Sequence, residues 1–242
     1  MYAKVVRVPH SGWDLTFLFH ELQDAAGEAS ALYHASSDDL AKFGLMWVVV
    51  RYEVLFERPV LPGEKLFIQT WATPFRHKMS QRNYRITDQE GTLVLTAAGI
   101  WTIVDRESRK MVDPAEYPLQ IPGEVTEYVI GRPANPERVN TVHQMEYPVQ
   151  PSDLDTNVHM NNARYFKLAE SCIEKPIPGE RYRLVRAAYL NEAKLGDRIE
   201  LSWGTEGNVS YFSGRVNRLA CFEISIRYES DSKGIRVNLI KK

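Results

Sequence analysis

The sequence predicts an α+β fold made of two similar halves. Three observations carry that expectation. A long helical pattern is followed by strand patterns with no alternating strand–helix–strand units. The same order returns after a proline-rich stretch. A short segment, Gly63-Glu64-Lys65-Leu66-Phe67-Ile68, is echoed in residue type by Gly196-Asp197-Arg198-Ile199-Glu200-Leu201. Self-similarity of this kind marks repeated units.

In the first half, apolar residues recur at three- and four-residue steps from Asp14 to Tyr33: Leu15, Leu18, Phe19, Leu22, Ala25, Ala26, Ala29, Leu32 and Tyr33. That spacing predicts one helix with a single apolar stripe, wide enough to lie on a sheet. Strands are expected over Met46–Phe56, Lys65–Thr73, Ser80–Thr87 and Thr92–Val104, with a hairpin turn at Asp88-Gln89-Glu90-Gly91. Pro114 to Pro136 contains five prolines and two glycines and reads as a linker.

The second half predicts a strand over Val142–Val149 and a helix over Asn161–Glu174, with Tyr165, Leu168, Ala169, Cys172 and Ile173 on one face. Pro176 and Pro178 end that helix. Strands follow over Arg183–Leu190, Arg198–Glu206, Val209–Val216 and Phe222–Tyr228, with a turn at Gly207-Asn208 and a last short strand over Ile235–Leu239.

Composition narrows the function classes. The chain has 242 residues, 30 Lys and Arg against 31 Asp and Glu, and a net charge of −1, which disfavours a nucleic-acid binder of bulk basic character. No apolar run approaches the roughly 20 residues that span a bilayer. The first ten residues have no signal-peptide or transit-peptide character, so a cytoplasmic protein is expected. Cys172 and Cys221 form neither a disulfide framework nor a metal-ligand spacing, and His10, His20, His34, His77 and His143 are scattered. No metal or cofactor is expected.

The unusual segment is Ser152 to Tyr165, where Asp155, Asn157 and His159 alternate just before the predicted helix at Asn161. In an extended stretch the three share one face. A carboxylate beside a histidine fixes its tautomer and raises its basicity, and an amide can orient a carbonyl or a water. A helix start supplies unpaired N–H groups for an oxyanion. The segment itself holds no serine or cysteine nucleophile, leaving water attack or a carboxylate nucleophile. By residue type alone, loop and capping roles explain Asp155, Asn157 and Asn161 equally well.

The run Asp-Leu-Asp-Thr-Asn-Val-His-Met-Asn-Asn-Ala-Arg-Tyr, residues 153–165, resembles the signature of the acyl-ACP thioesterases of plants and bacteria, within the hot-dog superfamily. Leu45 to Arg51 and Gly99 to Asp105, with the following Arg106 to Lys110, are similar to first-half strands of that family. The resemblance implies a double hot-dog fold, two antiparallel sheets each wrapped around a long central helix. It implies an N-terminal hot-dog domain over 1–122 shaping the acyl pocket, a linker over 123–140, and a C-terminal domain over 141–242 carrying the catalytic residues. Asp155, Asn157 and His159 match the family's catalytic positions. Glu192, in Tyr189 to Asp197, matches its catalytic glutamate; without the family it would read as a solvated strand end. Ala193 stands where an older reading of the family placed a cysteine nucleophile, so a thiol mechanism there is ruled out.

The implied activity is hydrolysis of fatty acyl-ACP to fatty acid and ACP, ending chain elongation in fatty acid biosynthesis. Other hot-dog thioesterases suggest acyl-CoA as an alternative substrate, and a non-catalytic acyl-binding protein is a third reading. Asn161, Asn162, Trp47, Leu18 and Leu22 are the expected substrate-binding residues, with Leu15 and Phe19 beside them. Setting Asp14, Thr16 and Leu18 against Asp155, Asn157 and His159 implies that the first half lacks the histidine. The implied partner is an acyl carrier protein. Two basic clusters could meet it or its phosphopantetheine: Arg76-His77-Lys78 with Arg82 and Arg85, or Arg181, Arg183 and Arg186. Either could equally be a solvated face. Exposed sheet edges make a homodimer possible.

Overall fold

The computed structural model describes residues 1–119, 121, 123, 124, 126, 128, 130–155, 158–173 and 180–230. The first half comprises β1 (Tyr2–Arg7), α1 (Leu15–Ala31), α2 (Ser37–Ala41), β2 (Leu45–Phe56), β3 (Lys65–Ala72), β4 (Met79–Thr87) and β5 (Leu93–Asp105). The second comprises β6 (His143–Pro148), α3 (Asn162–Cys172), β7 (Glu180–Tyr189), β8 (Arg198–Glu206), β9 (Val209–Val216) and β10 (Leu219–Ser230). The expected strand over Ile235–Leu239, the proline stop at 176–178 and the last residue of the predicted second helix, Glu174, lie outside the described residues.

Among the described residues the strands form one antiparallel sheet of ten, in the order β1-β3-β4-β5-β2-β7-β10-β9-β8-β6. The expectation of two sheets is corrected. The inner strands of the halves, β2 and β7, pair from Arg51↔Ala188 to Leu55↔Leu184, so neither is left with a row of unpaired backbone groups. Glu53 and Arg186 lie opposite each other at this junction, with Arg186 Nε donating to Glu53 Oε2 at 2.6 Å.

The order reads as two copies running outward from the junction. The echoed segments open β3 and β8, and their outer neighbours repeat the register: Arg7 pairs with Lys65 as Pro148 pairs with Arg198. The copies diverge between the outer strand and the helix. Val8 and Val149 are equivalent, each donating its N–H to the residue before β3 or β8 (Glu64 and Asp197). The helix caps that follow are Asp14 and Asn161, so the second connection is six residues longer. The equivalent of Asp14 is therefore Asn161, not Asp155. Residues around 155–160 belong to an insertion with no counterpart in the first half.

Helix α1 starts where Asp14 caps the amide of Phe17 at 2.7 Å, and its stripe from Leu15 to Ala29 is buried. Burial of each large apolar side chain in it is worth about 1.5–3 kcal/mol. Leu32 and Tyr33, expected in the stripe, follow the helix end and are exposed. The helix lies against the sheet, as its width implied, and also against α3. Phe19 stacks on Phe166 with centroids 3.7 Å apart, and meets Tyr52 of β2 edge-on.

The opposite face of the sheet is crossed by residues 130–140 of the expected linker. They form a strap rather than a loose tether. Gln81 of β4 donates to the carbonyl of Ile130, and Arg51 of β2 to that of Pro133. Ser225 of β10 accepts the amide of Glu137, and Glu223 pairs with Arg138 at 2.6 Å. Asn140 then passes over Gly204 of β8, where a Cβ would collide with the Asn140 carbonyl. Alternation explains the two faces: Arg51 and Glu53 meet the strap, while Tyr52 and Val54 are core.

Candidate active site

The inserted connection reverses tightly rather than running extended. The Asp155 amide donates to the His159 carbonyl at 2.8 Å, the Val158 amide returns to Asp155, and Val158 takes a left-handed φ of 64°. Asp155 and His159 are thus brought opposite each other across a turn. Asn157 lies outside the described residues. The Asp155 carboxylate accepts the His159 backbone amide at 3.4 Å.

Beyond the turn, the chain pairs with the loop after β7. The Met160 amide donates to the carbonyl of Ala193 at 2.8 Å, and His159 bridges to Lys194. That loop is itself pinned. Leu190 donates its amide to Cys221, Asn191 Nδ2 donates to Ala220, and Asp197 accepts the Lys194 amide. The result sets His159 Nε2 3.1 Å from Glu192 Oε2. The family-derived glutamate, 33 positions along the chain, is the residue facing the imidazole nitrogen.

A third group completes the cluster, and sequence reasoning did not single it out. Arg109, on the turn after β5 in the first half, donates from Nη1 to Glu192 Oε1 at 2.9 Å, with Nη2 3.3 Å from His159 Nε2. The motif match had reached Arg106 to Lys110 without assigning a role. No local spacing could reveal a contact made 50 and 83 positions away.

Burial lowers the His159 pKa below its usual 6.5. The Glu192 carboxylate opposes the shift, and the Arg109 charge adds to it. The net effect disfavours the protonated ring. Tyr165 and Tyr189, which line the same cleft, are held protonated by burial, and Tyr189 Oη meets the Asn162 carbonyl at 3.4 Å.

The cleft at His159 and Glu192, about 620 Å³ and open to solvent, is walled by Met46, Trp47 and Val49 of β2 and by Asn162. It adjoins a larger cavity of about 1190 Å³ between α1 and the sheet; Trp47, Val49, Asp155 and Asn162 line both. Ala26, Gly27, Trp101 and Arg82 line the larger one, as does Asn161. Asn161 also caps α3 by accepting the Ala163 amide at 2.8 Å. Of the expected first-half residues, Trp47 reaches both cavities. Leu18 and Leu22, like Leu15 and Phe19, are buried in the core and line neither.

Ala193 is fully buried beside Glu192. Cys172 is half-buried and Cys221 buried, and burial pushes both thiols up. Among the described residues no group of three or more His, Cys, Asp or Glu could hold a metal, and no helix is long and apolar enough to cross a membrane. The cluster of Arg181, Arg183 and Arg186 is matched by Glu229, Glu57 and Glu53 near the junction. Arg82 turns inward to Thr70 and Ser30, and Arg85 lies over the Tyr128 ring. Arg76, His77 and Lys78 are exposed, and Lys78 Nζ donates to the carbonyl of Met111, two residues beyond Arg109.

Two family models match the chain: the acyl-ACP thioesterase N-terminal domain over residues 13–117 and the C-terminal domain over 136–231. A palmitoyl-acyl carrier protein thioesterase of Arabidopsis thaliana chloroplasts is 23% identical over 142 residues, covering 54% of this chain and 34% of the relative. The chain thus spans about a third of the length of the curated relatives it matches. Among solved structures, the 12:0-ACP thioesterase from Umbellularia californica superposes with a TM-score of 0.78 at 14% identity, covering 95% of this chain and 97% of its own. An acyl-ACP thioesterase from Bacteroides thetaiotaomicron gives 0.74 at 18% identity, covering 94% and 97%. These likenesses give a hot-dog-like thioesterase fold built on a large antiparallel sheet. By its two matched domains, its fold and its signature segment, the chain belongs to the acyl-ACP thioesterase family.

Proposed function

We propose that this protein hydrolyses fatty acyl-ACP to free fatty acid and ACP. The observation that carries the reading is the His159–Glu192 pair at the mouth of a cleft that opens into a larger cavity beside α1. The acyl chain lies along α1 past Trp47 and Val49, with its thioester carbonyl at Asn162 near the start of α3. Neutral His159, its ring facing Glu192 and its backbone amide held by Asp155, takes a proton as water attacks the carbonyl carbon. Asn157 and amides at the helix start hold the developing oxyanion. The intermediate collapses, the C–S bond breaks, and the proton passes to the leaving thiolate. Both Glu192 oxygens are engaged, one by His159 and one by Arg109, which favours water attack over a carboxylate nucleophile.

In this reading the fold is a double hot dog, with residues 1–122 shaping the pocket, 123–140 linking, and 141–242 carrying the catalytic groups. The exposed turn at Arg76, His77 and Lys78, close to Arg109, receives the acidic carrier. The setting is the cytoplasm, and a homodimer would form through β1 or β6, the outer strands of the sheet among the described residues.

The test is hydrolysis over acyl-ACPs from C8 to C18 with matched acyl-CoAs alongside. Preference for acyl-ACP is expected, and His159→Ala and Glu192→Ala should lower turnover by about 10²–10⁴-fold. Turnover of CoA esters alone would move the function to CoA metabolism. No turnover of either would leave an acyl-binding protein. Wild-type rates in both variants would refute the site.

A further inference from the structure

We propose that Arg109 is a positioning residue for the hydrolytic pair: reaching from the first half of the chain, its guanidinium holds Glu192 and the His159 ring together, so the site in the second half works only with the first half docked against it. The inference rests on the hydrolase reading for its kinetic consequence and on geometry alone for the contact itself.

The turn that carries Arg109 is built to aim it. Asp105 accepts the amide and hydroxyl of Ser108 at 2.7 Å, the Arg109 amide returns to the Asp105 carbonyl, and Arg109 takes a left-handed φ of 58°. Non-glycine residues adopt that conformation sparingly, and such outliers concentrate at functional sites. Arg106 anchors the same turn to the Leu45 carbonyl at 3.0 Å. The Arg109 guanidinium passes Met46 Sδ, and its two terminal nitrogens then address two different residues. That is the use of a planar fork; an ammonium on a flexible stem cannot span both partners in fixed geometry.

Charge gives the contact a chemical purpose. The groups facing His159 are Glu192 and Lys194 from the loop after β7, Asp155 from its own turn and Arg109 from the turn after β5. Glu192 and Asp155 favour the protonated ring; Arg109 and Lys194 oppose it. Arg109 offsets part of the pull of Glu192 on a ring proton, adding to the burial that already disfavours the protonated ring.

The test uses the full chain with Arg109→Gln and Arg109→Lys, following the His159 ring proton by NMR without substrate and kcat/KM against pH with acyl-ACP. Arg109→Gln should raise the His159 titration midpoint and carry the acid limb of kcat/KM up with it. Arg109→Lys should keep the midpoint near the wild-type value while kcat/KM falls, by about 10²-fold at most, because charge is retained and the fork is lost. Guanidinium ion added to Arg109→Ala should restore part of the lost rate, which a purely structural role would not permit. An unmoved midpoint in Arg109→Gln, with kcat/KM within about twofold of wild type, would overturn the proposal. A wild type inert toward all thioesters but with the midpoint shift present would remove the hydrolase reading and leave the hold of Arg109 on the pair standing.

Discussion

Phe166→Ala tests how the two halves are held together. Phe166 and Phe19 are both 0% exposed and stack with centroids 3.7 Å apart and planes 13° from parallel. Truncating a buried phenylalanine costs about 3–5 kcal/mol from lost transfer energy and the cavity left behind. The stacked pair adds about 0.5–1.5 kcal/mol beyond its buried area. For a chain of this size each kcal/mol lowers Tm by about 2–4 °C, so a loss of roughly 10 °C is expected. Denaturant unfolding gives the same quantity as a shift in midpoint at constant slope. Phe19→Ala should cost a similar amount, and the double variant about 0.5–1.5 kcal/mol less than the two single costs together. Unfolding should remain one transition, because a continuous sheet leaves neither half free to melt alone. A cost below about 1 kcal/mol for Phe166→Ala, additive single costs, or a second transition would refute the reasoning.

Gly27 sits inside α1 at the wall of the larger cavity, and a Cβ there would meet nothing within 4 Å. Gly27→Ala should stabilise the protein by about 0.5–1 kcal/mol in denaturant unfolding. Gly27→Leu should move turnover toward shorter acyl chains across the C8–C18 panel. Gly204→Ala should destabilise by about 1–3 kcal/mol, because the added methyl must displace the strap at Asn140; the same unfolding assay reads it. The acid limb of kcat/KM should lie below pH 6.5, because the folded chain defers protonation of His159 to lower pH. The sign for stability follows: unfolded His159 binds its proton near 6.5 and the folded ring only below that. This contribution is present above pH 6.5 and lost as pH falls through the folded value.

Much of the fold was legible because its signals are local. Period 3.6 in α1 and period 2 in β2 and β10 are properties of short windows, and both helix starts carry their caps in sequence, Asp14 and Asn161. Strand β1 was not anticipated. It is short, and only two of its six residues, Val5 and Val6, are branched apolar ones, with Val5 exposed. Helix α2 was also missed, although Ser36 and Asp39 spell the capping box that starts it. The single sheet could not be read, because strand patterns do not say whether two inner edges find each other. Nor could the six-residue insertion, because the echo at Gly63 and Gly196 gives one offset while the helix starts obey another.

The site divides along the same line. Asp155 and His159 stand in one short motif, and Glu192 followed from the family resemblance. Arg109 is chemically an ordinary turn residue until the fold closes. The expected pocket residues Leu18 and Leu22 show the opposite error: apolar spacing identifies what is buried, and a cavity is where such spacing leaves a gap. Ala26, Gly27 and Trp101 border that gap, and nothing in their spacing marks it.

The strap over the back of the sheet changes what a break in the chain would do. Its anchors pass from strands of the first half, at Gln81 and Arg51, to a strand of the second, at Ser225 and Glu223. A protease nick between Ile130 and Asn140 should therefore sever the covalent link without releasing either piece. Each fragment still holds part of the strap, the β2–β7 seam and one of the two stacked phenylalanines. A chain cleaved there is expected to run as one species on size-exclusion chromatography, and separation of the two fragments would show that the covalent link is needed to hold the seam.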